Sequence, residues 1–138
     1  MVCTFFGHRE CCESIRYALK DSIIQLIENR GVLRFYVGNQ GNFDNIVISV
    51  LAELKKDYRD INAEIILAYL RNDKFVYTLD TLFPESLETV PPRFAIDRRN
   101  LWMIENADVV VTYVRRNYGG AAKYKKIAKR KGREIVEI

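Results

Sequence analysis

The chain lacks the features that would place it in a membrane, outside the cell or on a metal. No apolar run approaches the ~20 residues of a membrane-spanning helix, so no membrane partner is expected. The N-terminus has no basic stretch followed by an apolar segment and a cleavage site, so no signal peptide is expected. Cysteine is scarce and odd in number, at Cys3, Cys11 and Cys12. With no secretion signal, that count argues against disulfides and for the reducing cytoplasm. A zinc site from Cys3, His8, Cys11 and Cys12 would need a strand residue and two adjacent cysteines to converge tetrahedrally. No metal is expected, and Cys11-Cys12 read as helix-start or core residues. There is no Walker A sequence, no Gly-x-Ser-x-Gly elbow and no His-Glu-x-x-His. Residues 38–43 miss the six-position dinucleotide fingerprint, so no nicotinamide cofactor, or any other, is implied. No internal repeat or low-complexity segment appears.

What is present fits one soluble domain over 1–138. That length supports a real core, and 49% apolar with 29% charged residues is ordinary for a globular chain. The net charge of +4 is uneven. Residues 115–133 hold nine Lys and Arg and no acid, while the remainder is net acidic. Such a run could contact nucleic acid. A solvated helix face explains it better, because no aromatics are interleaved as a stacking platform. Nucleic acid is therefore the weakest partner reading, and a homo-oligomer is left open.

The chain is organised around residues 107–122. Val109 to Val111, with Tyr113 and Val114, read as a strand buried on both faces. Gly119-Gly120 follows, then a helix with Ala121, Tyr124, Ile127 and Ala128 on one face. A strand, a Gly-rich turn and a helix aim free backbone N–H groups at an anion. The plain alternative is a tight turn with no ligand.

The same alternation runs through the chain. Strands are expected at 2–6, 33–37, 63–69, 108–114 and 134–138. Helices are expected at 12–29, 43–58, 95–106 and 120–131. Asn42 is the expected N-cap of the second helix. Residues 70–93, with Asp73, Asp80 and Pro84, read as irregular and potentially functional. Five strands alternating with four helices predict a three-layer, Rossmann-like α/β fold with a parallel sheet in the order 3-2-1-4-5. The sheet then reverses between its first and fourth strands, where ligands bind at the carboxyl ends.

Three turns share that rim: Gly7-His8-Arg9, Gly38-Asn39-Gln40-Gly41 and Asn117-Tyr118-Gly119-Gly120, the last leading into Ala121. Their convergence points to a phosphate-bearing ligand. His8 could serve as acid or base, or donate to phosphate; otherwise it is a turn histidine bonded to backbone. Arg93, Arg98 and Arg99 lie around the start of one helix, and arginine grips phosphate bidentately. Asp44 and Asp97 could bind ribose hydroxyls or assist at an anomeric carbon. Both could instead stabilise helix N-termini by roughly 0.3–1 kcal/mol. Tyr118 could stack on a base or merely cover its turn.

Taken together, these residues resemble the SLOG superfamily of Rossmann-like nucleotide-binding proteins. Its members include the DprA/Smf proteins, the cytokinin-activating phosphoribohydrolases and the YpsA-type DUF1273 proteins; the similarity is strongest to a small bacterial group. It rests on Phe5-Phe6-Gly7-His8-Arg9, Val37 through Asp44, Pro91 through Ile96, Arg98-Arg99-Asn100 and Tyr118 through Ala122, and it covers essentially the whole chain. It implies a nucleotide or nucleotide-derived ligand on the rim. Compared with the phosphoribohydrolases, Arg99, Met103 and Asp108 match, and Asn100 replaces a lysine. In the Gly-rich signature only Gly119 matches. The positions of the catalytic glutamate fall on Ala122 and Lys123. The resemblance therefore implies a sensor or carrier that keeps the binding half of the site and lacks the catalytic half. The alternative is an N-glycosidic-bond-cleaving hydrolase in which Asp44 or Asp97 replaces the glutamate.

Overall fold

A computed structural model describes residues 1–70 and 76–138. Among the described residues, six strands and four α-helices follow one another: β1 (Val2–Gly7), α1 (Arg16–Arg30), β2 (Arg34–Val37), α2 (Asn42–Asp57), β3 (Asn62–Ile66), β4 (Asp80–Leu82), α3 (Pro92–Glu105), β5 (Val109–Tyr113), α4 (Gly120–Arg130) and β6 (Glu134–Glu137). Short 3-10 turns at Glu13–Ile15 and Glu85–Leu87 precede α1 and α3.

All strands pair in parallel, in the order β4-β3-β2-β1-β5-β6. The expectation of five strands is thus corrected to six. The five anticipated strands keep their relative order, and β4 adds to the outer edge beside β3, with Glu64 opposite Asp80. β4 lies inside the stretch read as irregular. It has three residues, of which only Leu82 is half-buried. So short an edge strand carries no alternation of its own, and its pairing depends on β3 being there already. Asp73, from the same stretch, lies outside the described residues.

The helices cover both faces because the strands are apolar on both. Leu19 and Ile23 of α1 and Val47, Val50 and Leu51 of α2 pack with Cys3, Phe5, Phe35, Val109 and Val111. On the other face Met103 and Ile104 of α3 and Tyr124 and Ala128 of α4 pack with Phe6, Tyr36 and Val110. The change of face falls between β1 and β5, which opens the carboxyl rim there. No described helix is long and apolar enough to cross a membrane.

One helix boundary departs from expectation in a way that matters for the rim. Asn42 is not the N-cap of α2: Gly41 is, at φ 93°, with no side-chain cap. The Asn42 N–H donates instead to the Arg9 carbonyl at 2.8 Å. A Cβ on Gly41 would meet Arg9 Cα at 2.7 Å. The turn after β2 is thus fastened directly onto the turn after β1.

Candidate functional site

A cleft of ≈ 310 Å³ opens at the carboxyl ends of β1 and β5. That is the lower end of the size range of small-molecule sites. Phe5, Phe6, Gly7, His8 and Arg9 line it from β1 and the following turn. Gln40 comes from the turn before α2 and Asp44 from the first turn of α2, and Ile96, Arg99, Asn100 and Met103 come from α3. Arg116, Gly120, Ala121 and Tyr124 close it from the β5–α4 side.

Arg99 is the central group. It is 1% exposed, the largest fully buried side chain among the described residues. Nη1 donates to the Ile66 carbonyl at 2.9 Å and to Asn39 Oδ1 at 3.1 Å, and Nε donates to Asn100 Oδ1 at 2.8 Å. Burial works against its charge, and Asp44 supports it. Gly38 makes room for the pair. A Cβ there would come within 2.9 Å of Asp44 Oδ2 and 3.2 Å of Arg99 Nη2. Gly38 and Asn39 thus act behind the cleft wall and do not line it.

Asp44 Oδ2 accepts the Gln40 N–H at 2.9 Å. Burial pushes its carboxyl up from 3.8 to about 6, against the Gln40 bond and the charges of Arg99 and Arg9. Its folded value lies above its unfolded one, so the stability it contributes is complete below about pH 4 and is lost as pH rises through about 6. Asp44→Asn is therefore expected to gain about 1–2 kcal/mol near neutral pH, after allowance for partial exposure, and nothing below about pH 4. Denaturation midpoints that run parallel for both proteins from acid to neutral pH would contradict this.

His8 is 5% exposed, and its Nε2 accepts the Arg115 N–H at 2.8 Å. That bond fixes a neutral ring with its proton on Nδ1. Burial, followed by Arg116 and Arg115, lowers its pKa and keeps it neutral. Nε2 is therefore committed to backbone, and the ring offers the cleft a donor. Gly7 serves packing: a Cβ there would lie 2.2 Å from the Phe43 ring.

The two helix N-termini on the rim differ. At α2 the Gln40 and Asn42 N–H groups are already taken, by Asp44 and by Arg9. At α4 the N-cap Gly119 supplies no side-chain cap, and Gly120 and Ala121 line the cleft. A Cβ on Gly120 would meet nothing within 4 Å, so this end is open to a ligand. The Gln40 and Asn42 donors are thus spent within the fold, whereas residues 120 and 121 bring an uncapped helix start to the cleft.

Other candidates stand outside the cleft. Arg93 is exposed and lies over the Phe94 ring. Arg98, Asn117 and Tyr118 are exposed, Tyr118 with Arg116 over its ring. Asp97 accepts the Tyr124 hydroxyl at 2.6 Å and Lys123 Nζ at 3.1 Å, bonds that lower its pKa and keep it ionised. Asp108 accepts the Val2 N–H at the amino end of the sheet, so it ties β1 to β5.

The basic run at 115–133 is partly used by the chain itself. Lys123, Lys125 and Lys131 pair with Asp97, Glu137 and Glu105. Arg133 donates to the carbonyls of Ile104 and Glu105.

Phe5, Phe6, Ile96, Asn100, Met103, Arg116 and Tyr124 are the lining residues absent from the sequence-based candidates. A signal existed for the three α3 positions, which share a face with the candidate Arg99. Ile96, Arg99, Asn100 and Met103 are spaced i, i+3, i+4, i+7, a single helical face. No such pattern singles out Arg116 among its basic neighbours.

No protein-family model matches the chain, and no curated protein sequence matches it.

Proposed function

We propose that the protein binds a nucleotide or nucleotide-derived phosphorylated ligand in this cleft, as a cytosolic sensor or carrier. One observation carries the reading: a nearly inaccessible guanidinium, Arg99, lines a cleft onto which an uncapped helix N-terminus opens. Desolvating a guanidinium is costly, and a site that repeatedly receives an anion gives that cost a purpose. The phosphate fits the N–H groups at the start of α4, between Arg99 and Arg116. Phe6, Ile96 and Met103 supply an apolar wall for the rest of the ligand. The SLOG resemblance supports the same reading, because Arg99, Asn100 and Met103 fall on the cleft.

The start of α4 offers no carboxylate. Ala122 is buried and Lys123 is held by Asp97. Cationic donors hold phosphate equally in ground and transition states, and uniform binding does not accelerate chemistry. Asp44 keeps a second reading in view, because it lines the cleft with a raised pKa, as a glycosidic general acid requires.

A thermal-shift screen of nucleotides tests the first reading. A ligand at ~100 times its dissociation constant should add about 2.7 kcal/mol of stability, and Arg116→Ala should reduce that gain. No stabilisation by any nucleotide or sugar phosphate would refute it. Incubation with nucleoside monophosphates, watching for free base, tests the second. Base release abolished by Asp44→Asn would replace the sensor reading with the hydrolase one.

A further inference from the structure

Within a cleft lined by cations stands one carboxyl, Asp44, and it constrains which anions fit, given the anion-binding reading above. Its Oδ2 is taken by the Gln40 N–H. No protein donor reaches its Oδ1 among the described residues. Arg99 faces it from α3 and Arg9 from the turn after β1. His8 is neutral with Nε2 committed to Arg115, and Arg116 and Tyr124 line the same cleft.

A carboxylate beside an anion repels every ligand oxygen that arrives without a proton. An oxygen that carries one becomes a hydrogen-bond donor to it. We infer that Asp44 is a specificity-determining residue: it makes the cleft select anions that bring a hydrogen-bond donor with their negative charge over fully ionised anions. Hydrogen phosphate and phosphate esters with a neighbouring hydroxyl belong to the first class, and sulfate to the second.

Phosphate and sulfate make the comparison clean. At about pH 8 both are tetrahedral dianions, and they differ in the single P–OH proton. For sulfate to bind, Asp44 must itself become protonated. Burial pushes its carboxyl up to about 6, so at about pH 8 that requirement weakens sulfate by up to about a hundredfold.

The experiment is a titration of the native protein and of D44N with inorganic phosphate and with inorganic sulfate, read by thermal shift and by NMR. At about pH 8 the native protein should prefer phosphate by about tenfold or more, the worth of one hydrogen bond to a charged group. Lowering the pH to about 5.5 should restore sulfate binding by about the same factor as Asp44 takes up its proton. D44N presents an amide donor at every pH, so it should bind both anions alike and lose the pH dependence of sulfate. Glycerol phosphate against methyl phosphate shows whether an ester hydroxyl serves as the donor as well as P–OH does. Equal affinity of the native protein for phosphate and sulfate at about pH 8 would overturn the inference and leave the anion cleft standing. An unchanged preference in D44N would do the same. Failure of these anions and of every nucleotide to bind would overturn the underlying reading, and this inference with it.

Discussion

Gly41→Ala is expected to cost about 3–5 kcal/mol of folding stability, from left-handed strain and overpacking together. Both contributions are visible. Gly41 sits at φ 93°, and an added Cβ would lie 2.7 Å from Arg9 Cα, a backbone atom that cannot swing aside. Relief would require the turn after β2 to lift off the turn after β1, breaking the 2.8 Å bond from the Asn42 N–H to the Arg9 carbonyl. Domains of this size are typically stable by only about 5–15 kcal/mol, so this is a large share. Two internal controls isolate the cause. Gly119 has nearly the same φ, 90°, but a Cβ there would meet only Arg116 side-chain atoms at 3.8 Å. Gly119→Ala should therefore show the strain alone, about 1–2 kcal/mol. At Gly120 the φ is ordinary and the space empty, so Gly120→Ala should be close to neutral. Urea denaturation of the three variants provides the comparison. If Gly41→Ala costs no more than Gly119→Ala, the two turns are not fastened together.

Arg99→Ala is expected to weaken a phosphorylated ligand by about 1–3 kcal/mol, the loss of a charge-assisted contact. It should also destabilise the fold by about 2–4 kcal/mol, because the Ile66 carbonyl, Asn39 and Asn100 each lose a donor. Arg99→Lys separates the two effects. It keeps a cation near Asp44 but cannot reproduce the fork that reaches three acceptors. Stability should fall nearly as far, while affinity should fall less than in Arg99→Ala. Calorimetric titration at a temperature where all variants are folded supplies the affinities. Unchanged affinity in Arg99→Ala would remove Arg99 from the binding site and leave it a buried structural cation.

The sequence by itself determined the parallel sheet and the rim on which the cleft opens. Val/Ile-rich runs such as Val109 to Val111 read as strands covered on both sides, and alternation with helices leaves few topologies. The turns at Gly7 and Gly38 and the helix start at Gly120 were legible for the same reason, since they follow strands whose order was already constrained. Tertiary structure decided what local pattern does not encode. β4 exists because β3 offers it a free edge. Gly41 displaced Asn42 as the cap because the neighbouring turn leaves no room for a side chain. The arginines were assigned by packing: Arg99 turns inward on the face it shares with Ile96 and Met103, whereas Arg93 and Arg98 stay in solvent. His8 and Asp97 both carried catalytic promise in sequence, and hydrogen bonds from distant residues committed both, His8 to Arg115 and Asp97 to Tyr124. A side chain's role depends on which groups from other elements reach it, and that information lies in contacts between residues far apart in the chain.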